Sequence, residues 1–173
     1  MNKVLNYLLR ALMIASVCLS ANAMAEDAKP AEAKITIDIP VALKEANVLF
    51  NMDHIALGVD KMPIGMKYMS MLNDRMKREK IPGKIIGVFH GPAAFMVLND
   101  DAYNAYRKVD TGNPYKIMIE DLAASGVQIE ECAVSMKANG WTNKDLLFVV
   151  KVNTGAIARI IQLTQEGYVQ IQP

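Results

Sequence analysis

The sequence predicts an α/β protein, a three-layer sandwich built on a mostly parallel five-stranded sheet. From residue 35 onward, short apolar runs alternate with longer segments of helical period, the pattern of strands joined by crossover helices. The first strand candidate is a continuous apolar run, as expected where both sheet faces are covered. The runs are punctuated by turn signals at Pro82-Gly83, Gly91-Pro92, Gly126, Gly140 and Gly167, which leaves about five strands, near the usual number for a sheet.

Residues 1–25 come first. Lys3 and Arg10 precede the apolar stretch Ala11–Leu19, and Ala23-Met24-Ala25 follows. Charge, apolar run and A-x-A in that order mark a bacterial-type secretory signal, expected to be cleaved after Ala25 to leave a periplasmic protein. Ser16, Ser20 and Asn22 dilute the run below the roughly 20 apolar residues of a membrane anchor. Val17 before Cys18 argues against lipidation, whose processing site takes a small residue there. Residues 26–34 (EDAKPAEAK) lack large apolar side chains and read as a flexible lead-in. A single domain, residues 35–173, is expected to follow.

Within it, Ile35–Ile39 alternates and is a candidate edge strand. Ala46–Met52 is the first strand. A helix is expected over Pro63–Lys80, with Pro63 at its first position and Met62, Met66, Met69 and Met76 on one face. Lys84–Phe89 is the second strand and turns at His90-Gly91-Pro92. Ala93–Val97 fits a strand or a short helix, and the polar stretch Asn99–Asn113 reads as an exposed excursion anchored by Tyr103 and Tyr106. Tyr115–Ala124 has helical spacing. Val127–Cys132 is the third strand, Ala133–Asn139 the first turns of a helix, Asp145–Leu147 a further turn and Phe148–Val152 the fourth strand. Thr154–Gln165 is a helix capped by Thr154, and Tyr168–Ile171 the fifth strand.

Residues 1–25 hold two of the 19 basic residues and none of the 18 acids, so the remainder carries a net charge of −1. That offers no field for nucleic acid or anionic lipid, and neither partner is expected after cleavage. There is no G-x-G-x-x-G, no G-x-x-x-x-G-K-[ST] and no G-x-S-x-G, so nucleotide-dependent and serine-hydrolase chemistry lack a motif.

Chemistry in an open parallel sheet gathers at the carboxyl ends of strands. Asn51–His54, His90 and Cys132 fall there. With Cys18 removed, Cys132 is the one cysteine left and cannot form an internal disulfide. At a helix N-terminus its thiolate is favoured by amide donors and the dipole; the other reading is a small buried apolar residue at a strand end. His90 is either a proton carrier for Cys132 or a turn residue bonding a backbone carbonyl. His54 beside Asp53, and nine methionines beyond residue 25, invite a metal, copper in particular. Methionines on one helical face more often fill a core, and a zinc site from His54, His90 and Cys132 has no local ligand spacing. Trp141, Tyr103, Tyr106, Tyr115 and Tyr168 read as sheet-covering or interface aromatics.

The strand into Cys132, the stretch C-A-V-S-M-K-A-N-G from Cys132 to Gly140, the turn H-G-P-A from His90 to Ala93 and the ending Q-E-G-Y-V-Q-I resemble the DsrE/DsrF-like family. The resemblance spans about Ala46 to the C-terminus. It implies a flavodoxin-like five-stranded sheet, homo-oligomers such as trimers and hexamers, and kinship with small sulfur-relay proteins. In these a cysteine at the position matching Cys132 carries sulfur as a persulfide. His90 is not part of that resemblance; it enters from its strand-end position alone.

The expected function is therefore periplasmic sulfur handling, a sulfurtransferase-like carrier in which Cys132 takes sulfane sulfur from a donor protein and passes it to an acceptor, with His90 assisting and no metal or organic cofactor. The competing expectation is a non-enzymatic binding module using the same strand-end crevice for a small ligand or a metal.

Overall fold

The structure, a computed structural model, describes residues 35–173; the expected signal peptide (1–25) and lead-in (26–34) lie outside the described residues. Of two units, the second spans residues 41–173. Before it, residues 35–40 form no regular element, so the edge strand expected over Ile35–Ile39 is absent. Alternation alone cannot hold a strand that finds no ladder partner.

The second unit runs β1 (Ala46–Met52), α1 (Ile64–Glu79), β2 (Gly83–Phe89), a 3-10 segment (Gly91–Val97), α2 (Asp100–Arg107) and α3 (Lys116–Ala124). It continues through β3 (Gln128–Cys132), α4 (Ala133–Asn139), a 3-10 turn (Asn143–Asp145), β4 (Lys151–Asn153), α5 (Ala156–Gln165) and β5 (Val169–Ile171). The strands lie in the order β4-β3-β2-β1-β5, and all four pairings are parallel. No helix among the described residues is long and apolar enough to cross a membrane.

Successive side chains of a strand point to opposite faces, and here each face has its own core. Val48, Phe50, Met52, Ile85, Phe89 and Ile129 pack with Met66, Met69 and Met76 of α1, Ile119 and Leu122 of α3, and Met136 of α4. Leu49, Ile86, Val88 and Cys132 turn the other way, onto Ala156 and Leu163 of α5. This is the expected three-layer sandwich, with one face heavily covered and the other resting on a single helix. The methionine face of α1 is core: Met66 and Met69 are fully buried, each worth roughly 1.5–3 kcal/mol.

Element boundaries depart from the sequence reading in several places: the turn expected over Asp145–Leu147 is Asn143–Asp145, and the following departures have a local reason. Pro63 is the N-cap of α1 rather than its first residue. The Asn99–Asn113 excursion contains α2, because the Asn99 side chain accepts the Ala102 amide at 2.9 Å and Asp100 and Asp101 occupy the first turn, all helix-starting features. The fourth strand is Lys151–Asn153, not Phe148–Val152. The Leu147 amide donates to the Val97 carbonyl and the Val150 amide to the Leu147 carbonyl, both at 3.0 Å, which turns Phe148 out to solvent before the strand can begin. Finally, α5 has Gly155, not Thr154, at its N-cap, with no side-chain cap.

β3 carries two consecutive acids, and alternation sends one to each face. Glu131 points into the heavily covered side, is fully buried, and neither of its carboxyl oxygens has a hydrogen-bond partner. Burial, reinforced by the charge of the neighbouring Cys132 thiolate, pushes its carboxyl up from 4.5 to about 9. The folded state therefore keeps a proton between those values that the unfolded chain has released, and stability falls as pH rises through that window. Glu131→Gln should flatten this fall. Urea unfolding of both proteins from weakly acidic to weakly alkaline pH checks it; parallel pH profiles would show the carboxyl to be ionised in the fold.

Candidate functional site

Adjacent parallel strands open a crevice at their carboxyl ends where their connections leave for opposite faces. β3 and β4 are such a pair: α4 contributes Met136 to one core, whereas α5 contributes Ala156 and Leu163 to the other. Cys132 is both the last residue of β3 and the N-cap of α4, so it sits at the crevice. Its thiol is a free cysteine, only 4% exposed, and the Ala156 amide donates to Sγ at 3.2 Å. Burial alone would raise the thiol's pKa. The Ser135 and Ala156 amides, the Ser135 hydroxyl and the Val134 amide outweigh that, and the net effect is a lowered value. Both sequence readings of Cys132 thus describe part of its surroundings: the sulfur lies in an apolar cluster, yet it is hydrogen-bonded as an anion would be.

The start of α5 is held to β3 by a buried ion pair. Arg159 Nε and Nη2 reach Glu130 at 2.9 and 2.8 Å, and Gln128 Nε2 and Asn153 Nδ2 also donate to that carboxylate, at 2.6 and 3.1 Å. Burial would raise the Glu130 carboxyl, but Arg159 and Gln128 hold it below the ordinary carboxylate range. A cavity of about 350 Å³ lies alongside, lined by Glu130, Asn153, Thr154 and Arg159 among others.

His90 lies at the next strand end. Phe89 pairs with Glu131 in the parallel register of β2 and β3, so one step further places His90 opposite Cys132. Gly91 adopts φ +55, a left-handed turn suited to glycine, and its amide donates to Ser135 Oγ at 2.9 Å. Ser135 therefore ties the His90 turn to the helix that Cys132 caps. His90 is half-buried, and that burial lowers its pKa against an opposing pull from Asp53, favouring the neutral ring. Its Nε2 lies 2.7 Å from Asn51 Oδ1.

His54 stands apart from Cys132 and is bonded to Asp53 through Nδ1 at 2.5 Å. Among the described residues no group of three or more His, Cys, Asp or Glu side chains is placed to hold a metal, so the zinc grouping of His54, His90 and Cys132 does not form. Of the aromatics, Trp141 packs against the main core and meets Tyr106 edge-on at 5.1 Å. Sequence reasoning missed Glu130, Glu131, Arg159, Ser135 and Gln172. The adjacent acids of Q-I-E-E-C, inside a strand of a sheet covered on both faces, were a usable signal for the first two, and Arg159 is the lone cation of α5. Gln172 gave none.

The sequence profile of the DsrE/DsrF-like family matches residues 42–173. Two solved structures share the fold. MTH1491, a protein of unknown function from Methanobacterium thermoautotrophicum, superposes with a TM-score of 0.55 at 19% identity, over 75% of this chain and 100% of its own. The ychN protein from E. coli gives 0.52 at 14% identity, over 74% of this chain and 99% of its own. At such identities the likeness concerns the fold alone. No curated protein matches the chain.

Two outcomes follow from the geometry. Arg159→Met should lower stability by about 3 kcal/mol, because it strands the buried Glu130 carboxylate; urea unfolding measures this, and a loss under 1 kcal/mol would mean water screens the pair. Ser135→Ala should raise the pH at which Cys132 becomes alkylated by iodoacetamide. An unchanged rate profile would show that Ser135 does not hold the thiolate.

Proposed function

This chain belongs to the DsrE/DsrF-like family, and on that premise we propose that it handles sulfur, accepting sulfane sulfur on Cys132 as a persulfide and passing it on. The observation that carries the reading is the set of donors converging on the sulfur, from the first turn of its own helix and from Ala156 of another. Such donors favour the thiolate, which is the nucleophile in exchange between sulfur atoms.

In the proposed step the Cys132 thiolate attacks the outer sulfur of a donor persulfide. A new S–S bond forms, the donor's S–S bond breaks, and the donor leaves as a thiolate. His90 takes the Cys132 proton beforehand and returns it to that leaving thiolate. Delivery is the same exchange in reverse: an acceptor thiolate takes the outer sulfur and Cys132 departs. Neither half requires an external oxidant or reductant, or a cofactor. The signal-like residues 1–25 support a periplasmic setting, and the exposed apolar side chains of Val134, Phe148, Ile157 and Ile161 support a homo-oligomer or a partner protein.

Intact mass of the protein before and after incubation with inorganic polysulfide tests the central step. A gain of about 32 daltons, one sulfur, reversed by reductant and lost in Cys132→Ser, is expected. A folded wild-type protein that takes up no sulfur would overturn the carrier reading in favour of a binding module.

A further inference from the structure

The side chains beside His90 form a chain of hydrogen bonds whose directions can be worked out from its far end. Asp53 is the fixed point. Its hydrogen bond with His54 holds its carboxyl below the ordinary range, and an ionised carboxylate only accepts. Gln172 Nε2 lies 2.8 Å from Asp53 Oδ1 and 3.3 Å from the backbone carbonyl oxygen of Asn51. Both are acceptors, so this end of the Gln172 amide is the NH2 group and the other end is oxygen. The reverse orientation would set oxygen against two oxygens. A further approach, to His54 Nδ1 at 3.5 Å, is too long to fix a direction.

The rest follows in two steps. Gln172 Oε1 lies 2.6 Å from the Asn51 side-chain amide, which must present its NH2 there. That turns Asn51 Oδ1 toward His90 Nε2 at 2.7 Å, and a carbonyl oxygen can only accept. We infer that Gln172, acting through Asn51, locks His90 as the Nε2–H tautomer and leaves Nδ1 as its proton-accepting nitrogen. Gln172 and Asn51 are thus positioning residues for His90. The inference deepens the proposed function, because the role of His90 in proton transfer rests on that reading, but the tautomer itself follows from hydrogen bonding alone.

The fold places these residues in one row. Phe50 pairs with Ile171, so the next step of the β1–β5 register sets Asn51 beside Gln172. Met52 pairs with Phe89, which sets Asp53 beside His90. The tail is seated by Pro173, which packs with Met52 where any side chain on Gly65 of α1 would collide. Gln172, just after β5, therefore lies in the row of strand ends that includes Cys132.

Long-range 1H–15N NMR of the 15N-labelled protein, recorded above the histidine titration, reads the tautomer directly. His90 should show a protonated Nε2 and a lone-pair Nδ1. Gln172→Leu frees the Asn51 amide to turn, so the Nδ1–H form should appear alongside. Gln172 is exposed, so the variant does not threaten the core. A wild-type His90 protonated at Nδ1, or a Gln172→Leu protein still wholly in the Nε2–H form, overturns the inference. Because this readout involves no sulfur, an Nε2–H ring in a protein that takes up no persulfide would sink the carrier reading alone. A persulfide-forming protein with Nδ1–H would sink the tautomer assignment alone.

Discussion

The departure of α4 and α5 to opposite faces of the sheet is the constraint on which the site depends. Only because β3 and β4 part company in this way can one side chain receive amides from two helix starts. Cys132 draws on Val134 and Ser135 of its own helix and on Ala156 of the other. α4 is a helix of just seven residues, and a short helix offers little macrodipole beyond its free amides. The donor from α5 is therefore not redundant. The same divergence leaves one face of the sheet with a single covering helix, and that is the face where Gln128 and Glu130 are tolerated under Arg159.

The two acids of β3 show what each face can supply. Glu130 meets Arg159 and stays charged; Glu131, one residue on, meets no donor and is held neutral. A buried ion pair contributes little net stability over an apolar replacement, so the Glu130–Arg159 pair is better understood through where it acts. It joins the middle of β3 to the first turn of α5, one helical step beyond the amide that reaches Cys132. What it fixes is the position of that amide relative to the sulfur.

The sheet was legible because β1 and β2 are nearly continuous apolar runs, and such runs mean strands covered on both faces. β4 was not, since residues 148–150 carry the same apolar signal but follow Leu146 and Leu147, which are held by Leu98 and by Val97 of the 3-10 segment. α2 was hidden by its polar composition, although the Asn99 cap and the acids after it were visible. Cys132 and His90 could be picked out because a strand end is a place that sequence reveals. Their supports could not. Arg159 meets Glu130 across 29 residues and Gln172 meets Asn51 across 121, pairings that exist only once strand order and register are known.

Burial and reactivity meet at one helix end. α5 begins at Gly155 without a side-chain cap of its own, and its first amide is satisfied instead by Cys132 Sγ at 3.2 Å. The sulfur is in effect that helix's cap, closing a donor that would otherwise be an unmet cost of burial. Any chemistry that moves the sulfur also uncaps α5, and any fraying of α5 uncovers the sulfur. Arg159 limits the fraying, because it pins the helix to Glu130 one turn in. The shelter of the sulfur and the capping of α5 therefore rest on a single contact.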